Sequence, residues 1–263
     1  MVLCCCLRPI YGQGGTGKLP PGGRNPINRP PPRTPPVSEP EIDYVISVDN
    51  AALNNGRVAG DILYRGPAPR RIRIDTSADP VCSRMNPRLE IDDPLVNRGK
   101  LANVFVYLKD GVTADGRKLA ELNFPIPDNE VVLAHTGCNF MPHVLGVMVN
   151  QNVVIRNGDQ TVHNVHFVPR NNTEWNQSQA VGAPPITHRF DRPEIMVRVK
   201  DNQHPWQKAY VGVLNHPFFA VTGIEGKFEI RGVPPGKYTL ATWFERDGRV
   251  METTRKVTIR AAP

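Results

Sequence analysis

Two short segments carry the side chains most able to do chemistry in this chain of 263 residues. The first runs Asn157-Gly158-Asp159-Gln160-Thr161-Val162-His163-Asn164-Val165-His166 and reads as a strand end and a turn that deliver His163. The second, Lys200-Asp201-Asn202-Gln203-His204-Pro205-Trp206-Gln207, is a tight loop that delivers His204, with Asp201 three positions before it and Gln207 three after. Imidazole nitrogens suit copper and zinc, and carboxylate or amide oxygens are harder donors. A plain reading stands beside this one: His163 caps a turn and His204 hydrogen-bonds inside its loop. Two histidines in one frame, from Asn157 to Gln207, weigh more than a lone histidine would.

The elements that must position these residues are short strands. Val131 to Ala134, Val144 to Val149 and Val153 to Arg156 are apolar, β-branched runs, and Asn150-Gln151-Asn152 marks a turn between the last two. Ile195 to Val199 leads into the second loop and Ala209 to Val213 leaves it. Upstream, Tyr44 to Val48, Gly56 to Tyr64, Arg71 to Asp75 and Val104 to Leu108 read as strands, the last ended by Asp110-Gly111. Residues 112–128 and 169–190 read as loops. Helix is expected to be scarce.

The order strand, turn, strand, histidine, followed by a His-Pro-Trp loop, resembles the secreted bacterial cupredoxin-like (plastocyanin/azurin-type) proteins. In that family the loop usually reads Cys-x-x-His-Pro-Trp-Met. Here Asp201 stands at the Cys position and Gln207 at the Met position. Pro205-Trp206, Ala209-Tyr210-Val211-Gly212-Val213 and His216-Pro217-Phe218-Phe219-Ala220-Val221-Thr222 follow the pattern. The resemblance implies metal ligands His163 and His204, with Asp201 in place of the thiolate and Gln207 axial through its amide oxygen. The cofactor implied is copper, with zinc as the other candidate. A carboxylate favours Cu(II) or Zn(II) and lacks the thiolate bond that gives blue copper its colour and stabilises Cu(I).

Three functions remain open at this point. One is a non-blue centre of two imidazoles and one carboxylate. Another is a metal-free binding or structural module for a protein or glycan partner. The third is a periplasmic electron carrier.

The segment Cys138-Asn139-Phe140-Met141-Pro142-His143-Val144 resembles the family's Cys-x-Phe-x-Pro-His-Val. It makes His143 a candidate ligand or a group that orients one. His166 lies three residues after His163, on the opposite face of a strand. His135, His188 and His216 stand at no ligand spacing.

Further on, Gly226-Lys227-Phe228-Glu229-Ile230-Arg231-Gly232-Val233-Pro234-Pro235-Gly236-Lys237-Tyr238-Thr239-Leu240 resembles the carboxypeptidase-regulatory, transthyretin-like sandwich. Pro and Gly set the turn, and Phe228, Ile230, Tyr238 and Leu240 alternate inward. The expected fold is all-β: a Greek-key cupredoxin-like sandwich combined with a second, transthyretin-like β-sandwich. Residues 130–215 form the cupredoxin-like unit. It is set between the halves of the second sandwich, residues 41–129 and 216–263.

Residues 1–40 hold ten of the 27 prolines and read as a truncated signal followed by a Pro-rich linker. The run Val2 to Leu7, with Cys4, Cys5 and Cys6, is too short for a secretory core or a membrane span. With an incomplete N-terminus it fits the remnant of a signal, and the resemblance implies a periplasmic or extracellular protein. No membrane span is expected in the mature chain. In an oxidising compartment Cys82 and Cys138 are candidates for a disulfide.

The net charge is +7, of which residues 1–40 carry +4, so the remainder is only mildly basic. No dense basic run with interleaved aromatics occurs, which argues against nucleic acid. No Gly-x-Ser-x-Gly elbow is present, and Gly12 to Lys18 does not complete a phosphate loop. The expectation is a non-enzymatic protein with an unidentified protein partner.

Overall fold

The computed structural model describes the backbone of residues 42–49 and the whole of residues 56–66, 69–91, 94–246 and 249–260. The expected signal and Pro-rich linker lie outside the described residues. The regular structure of the described residues is nearly all strand, with one short helix, Pro80–Met85, and one 3-10 turn, Leu119–Glu121. Among the described residues no helix is long and apolar enough to cross a membrane.

Two sheets made from residues 131–214 face each other. One orders Val144–Met148, Lys208–Leu214, Glu194–Lys200, His163–Val168 and Trp175–Gln179. The other orders Ile186–His188, Val153–Asn157, Val131–His135 and Phe140–Met141. Between them lie Leu133, Phe140, Leu145, Val147, Ile155, Val165 and Phe167, with Val197, Val199, Val211 and Val213.

A second pair of sheets uses residues from both sides of this unit. Gly56–Tyr64 pairs with Ile42–Asp49, Lys100–Leu101 and Lys227–Val233. Phe105–Thr113 lies between Phe219–Val221 and Gly236–Arg246, and Arg249–Ile259 forms the far edge. Phe228, Ile230, Tyr238 and Leu240 all enter the core of this pair, because period-two alternation turns them to one side.

The strands Val144–Met148 and Lys208–Leu214 are apolar on both faces for a visible reason. Leu145, Val147, Val211 and Val213 point into the central sandwich. Val144, Tyr210 and Leu214 point the other way, onto Phe105, Tyr107 and Trp243 of the second pair. A sheet covered on both faces reads as a continuous hydrophobic run. Gly146 and Gly212 face each other in register on that outer side. A Cβ at Gly212 would lie 2.4 Å from Phe105 Cζ, and one at Gly146 would lie 2.5 Å from the Phe219 ring. Gly212→Ala is therefore expected to cost about 1–3 kcal/mol by overpacking, read as a lower denaturant midpoint with an unchanged slope.

Three local expectations are corrected. Asp110-Gly111 does not end its strand, which runs to Thr113. A bulge at Lys109 shifts the register against Thr239 and Leu240. The chain then passes Tyr238 at Gly111, where a Cβ would meet the Tyr238 ring at 2.2 Å. Residues 169–190 are not all loop, since Trp175–Gln179 and Ile186–His188 are strands. Trp175–Gln179 is a mostly exposed edge held by its ladder to His163–Val168, so polar residues suffice there. Arg71 to Asp75 shrinks to the two-residue strand Ile72–Arg73, in which both side chains are exposed.

His216 is buried beside Phe218, and its Nδ1 accepts the Phe218 amide at 3.3 Å. Burial pushes its pKa down from 6.5 to about 4. The unfolded imidazole takes a proton below its ordinary pKa, while the folded one stays neutral to about 4. Stability is thus present above the unfolded value and is lost as pH falls through that window, by about 3 kcal/mol in total. Urea midpoints measured from pH 7 to pH 4 check this, and His216→Leu should flatten that part of the profile.

Candidate metal centre

The turn after Val153–Asn157 is shaped by Asn157. Its Oδ1 accepts the Asp159 amide at 3.0 Å, and its Nδ2 donates to the carbonyls of Thr161 at 2.8 Å and Gln179 at 3.0 Å. This turn sends Asp159 inward and starts the next strand at His163. The loop before Lys208–Leu214 is shaped by Asp201. Its Oδ1 accepts the amides of Gln203 at 2.7 Å and His204 at 3.0 Å, and its Oδ2 accepts the Asn164 amide at 3.1 Å. A short Asx-type turn of this kind fixes both Asp201 and the residue it caps.

Folding draws these two segments to one buried point. His163 Nδ1 lies 3.1 Å from His204 Nδ1 and 3.1 Å from Asp201 Oδ2, and His204 Nδ1 lies 3.1 Å from the same Oδ2. Gln207 joins them nitrogen first: its amide nitrogen lies 3.0 Å from His163 Nδ1 while its Oε1 turns to His135 Nδ1 at 2.9 Å, so the amide oxygen expected as the axial donor does not face the centre. All four residues are buried. The structure does not bring His143 to this point. Its Nδ1 faces the Lys208 carbonyl at 3.1 Å, and its Nε2 lies 3.8 Å from Glu245. His166 also points away, to Asn202 and Glu174.

The outer nitrogens explain how the rings are held. His163 Nε2 donates to Asp159 Oδ2 at 2.9 Å, and His204 Nε2 donates to Asp79 Oδ2 at 2.9 Å. A carboxylate on Nε2 fixes the tautomer that leaves the Nδ1 lone pair facing the centre. Asp159 is itself held by the amides of Gly137 and Cys138, each at 2.7 Å. Those two residues both have left-handed backbone, φ 63° and 58°, which turns their N–H groups to one side. Asp79 caps the helix Pro80–Met85, its Oδ1 accepting the amides of Val81 and Cys82, and its Oδ2 takes the Thr161 hydroxyl at 2.8 Å.

Sequence reasoning missed Asp79, Asp159 and His135. Asp79 had a readable signal, since Asp followed by Pro is a helix start. Its second oxygen reaches His204 across 125 positions, and no spacing announces that. His135 pairs with Asn157 across a parallel ladder. Its ring stacks on His163 with centroids 4.4 Å apart and planes 5° apart, and its Nδ1 meets Gln207 Oε1 at 2.9 Å. Burial lowers its pKa to about 4, so it is neutral near pH 7.

Cys82 and Cys138 are joined in a disulfide across 56 positions. Closing a loop of that length is worth about 4 kcal/mol on the chain-entropy account. The bridge fastens the helix that carries Asp79 to the turn that binds Asp159.

The electrostatics favour positive charge at this point. Three carboxylates, Asp79, Asp159 and Asp201, surround two imidazoles. Burial alone would raise each carboxyl pKa, but hydrogen bonds from the histidines and from backbone amides outweigh it and hold all three below the usual range. For His163 and His204 burial acts downward, and the facing carboxylates overcome it and raise both. With neutral rings, two Nδ1 lone pairs and one Oδ2 converge within 3.1 Å of one another, and the Gln207 amide donates to the His163 lone pair. Donors placed tetrahedrally about 2 Å from one ion stand roughly 3.3 Å apart, close to the 3.1 Å separations of the three donors here. The donor set therefore fits a divalent ion. Asp79→Asn keeps the shape but weakens the hold on His204, and metal affinity measured by calorimetry should fall about 10–100-fold.

No protein-family model matches the chain, and no curated protein matches it. Solved structures overlap parts of it. A copper-containing nitrite reductase from Thermus scotoductus SA-01 matches with 19% identity and a TM-score of 0.30, over 36% of this chain and 24% of that one. The chain thus spans about a quarter of that enzyme's length. A purple cupredoxin from Nitrosopumilus maritimus matches with 20% identity and a TM-score of 0.27, over 32% of this chain and 98% of that one. A mutant of amicyanin in its Cu(I) form matches with 19% identity and a TM-score of 0.29, over 42% of this chain and 98% of that one. The chemistry of the site follows from its own residues.

Proposed function

We propose that this chain is an exported, cupredoxin-like metal-binding protein with a non-blue centre. His163, His204 and Asp201 hold one Cu(II) or Zn(II), and Gln207 is the axial neighbour. The observation that carries this reading is the triangle of two Nδ1 atoms and one carboxylate oxygen, each pair 3.1 Å apart, with both Nε2 atoms already committed to carboxylates. Two imidazoles and a carboxylate supply a divalent ion with borderline and hard donors, which disfavours Cu(I) and so argues against an electron carrier. His135 steadies the axial side, stacking on His163 and gripping the Gln207 amide.

The role is binding in this reading, because His163, His204, Asp201 and Gln207 are all buried. The disulfide supports an oxidising compartment. A metal-free module is the second reading, and one observation favours it: the raised histidines allow two protons to replace the ion as the cation that the carboxylates require. Titration with Cu(II) and Zn(II) at neutral pH separates the two. One ion per chain at micromolar concentration supports the metal centre, and no uptake leaves the module.

A further inference from the structure

Residues 76–89 lie against the His204 side of the centre and belong to no sheet. Their one regular element is the helix Pro80–Met85, six residues long and too short to hold in water alone. None of their side chains joins the three hydrophobic clusters. Two kinds of tie fasten them to the sandwich of residues 131–214. The first kind is hydrogen bonds. Asp79 Oδ2 accepts from His204 Nε2 at 2.9 Å and from the Thr161 hydroxyl at 2.8 Å, and Asn86 Nδ2 donates to the Gly137 carbonyl at 3.1 Å. Each of these can be exchanged for a bond to water. The second kind, the Cys82–Cys138 disulfide, cannot, and Cys82 is the one buried side chain of the helix.

The segment covers one edge of one imidazole. The His204 side chain is 5% exposed, and that of Asp79, which sits on its Nε2, is 16% exposed, so this edge points outward beneath the segment. His163 differs. Its side chain is fully buried, and its Nε2 rests on Asp159, which the Gly137 and Cys138 amides hold from within the sandwich. Lifting residues 76–89 bares His204 and leaves His163 covered.

We propose that residues 76–89 are a redox-latched strap: the Cys82–Cys138 bridge holds them over His204, and reduction by a small dithiol lifts them and exposes that imidazole. One thiolate of the reagent attacks a bridge sulfur and forms a mixed disulfide. Its second thiol then displaces the protein sulfur. Two electrons and two protons pass to the bridge, Cys82 and Cys138 become thiols, and the reagent becomes a disulfide. Both sulfurs are buried, so the reagent reaches them by local opening of the short helix, which few packed side chains oppose. The consequence for the metal rests on the centre proposed above: with its outer nitrogen freed from Asp79, His204 is the side from which an ion enters and leaves.

The first test needs no metal. The full chain is used with Cys4, Cys5 and Cys6 changed to serine, which leaves Cys82 and Cys138 as its only cysteines. It is labelled with diethylpyrocarbonate at neutral pH, before and after dithiol treatment and removal of the reductant, and peptide masses locate the modified histidines. On reduction the labelling rate of His204 should rise at least about 10-fold, and that of His163 should stay as it was. Hydrogen exchange should quicken in residues 79–86 and remain slow in Val153–Asn157 and Lys208–Leu214.

Unchanged labelling of His204 in the fully reduced chain overturns the proposal, because the hydrogen bonds alone then hold the segment. Loss of protection in those two strands also overturns it, because the bridge then staples the whole fold. The double variant Cys82→Ser, Cys138→Ser should match the reduced chain without any dithiol, and the reduced parent decides the matter even if that variant does not fold. Loaded with Cu(II), the folded variant should surrender the ion to a chelator at least about 10-fold faster than the oxidised parent, and equal rates overturn the strap as a gate. An oxidised parent that takes up no ion refutes the centre alone, since the labelling result does not depend on it.

Discussion

His204→Ala should remove tight metal binding while the fold survives. The substitution deletes one of three converging donors, so the loss should exceed the 10–100-fold expected when only a supporting hydrogen bond goes. The affinity for Cu(II) should fall by more than about 100-fold. Folding is spared because the Asx turn of the loop is built by Asp201 Oδ1 on the backbone of residues 203 and 204, which alanine retains. Asp79 loses one partner but keeps the Val81 and Cys82 amides and the Thr161 hydroxyl. The equivalent change at His163 would be harsher, since both Asp159 and Asp201 lean on that ring at full burial. Copper titration followed by calorimetry, with circular dichroism as the fold control, checks the result.

Asp201→Cys should change the colour of the centre. A thiolate at position 201 places sulfur beside the same two Nδ1 atoms, which is the two-histidine, one-cysteine donor set of blue copper. The Cu(II) form should gain an intense visible charge-transfer band, and Cu(I) should become the favoured state. The substitution has a structural cost. Asp201 accepts three backbone amides, from Asn164, Gln203 and His204, and sulfur is a weak acceptor. Lost hydrogen bonds to a charged group are worth about 1.5–3 kcal/mol each, so the variant should also melt earlier. A Cu(II) complex without the new band would mean that position 201 does not reach the ion.

Much of this was legible in the sequence, for identifiable reasons. Asp201, His204 and Gln207 lie in one loop, so their closeness is local and spacing reveals it. His163 is distant in the chain, but the Asn157 turn announces where its strand begins. Period-two alternation made Phe228, Ile230, Tyr238 and Leu240 readable as one inward face. The supporting residues were hidden because they arrive through tertiary pairing. Asp79 comes from a helix cap and His135 from a parallel neighbour strand, and neither has a fixed offset from the ligands. The strand Trp175–Gln179 was hidden because an exposed edge needs no apolar pattern. His143 misled because its segment resembles a ligand-bearing one, while its ring turns to Lys208 and Glu245.

The most direct test of the centre is pulsed electron paramagnetic resonance on the chain loaded with one equivalent of Cu(II). Two equatorial imidazoles with an oxygen-rich remainder, and no thiolate band in the visible spectrum, is the result expected. A spectrum with one imidazole or none would contradict the convergence of His163 and His204 on a single ion.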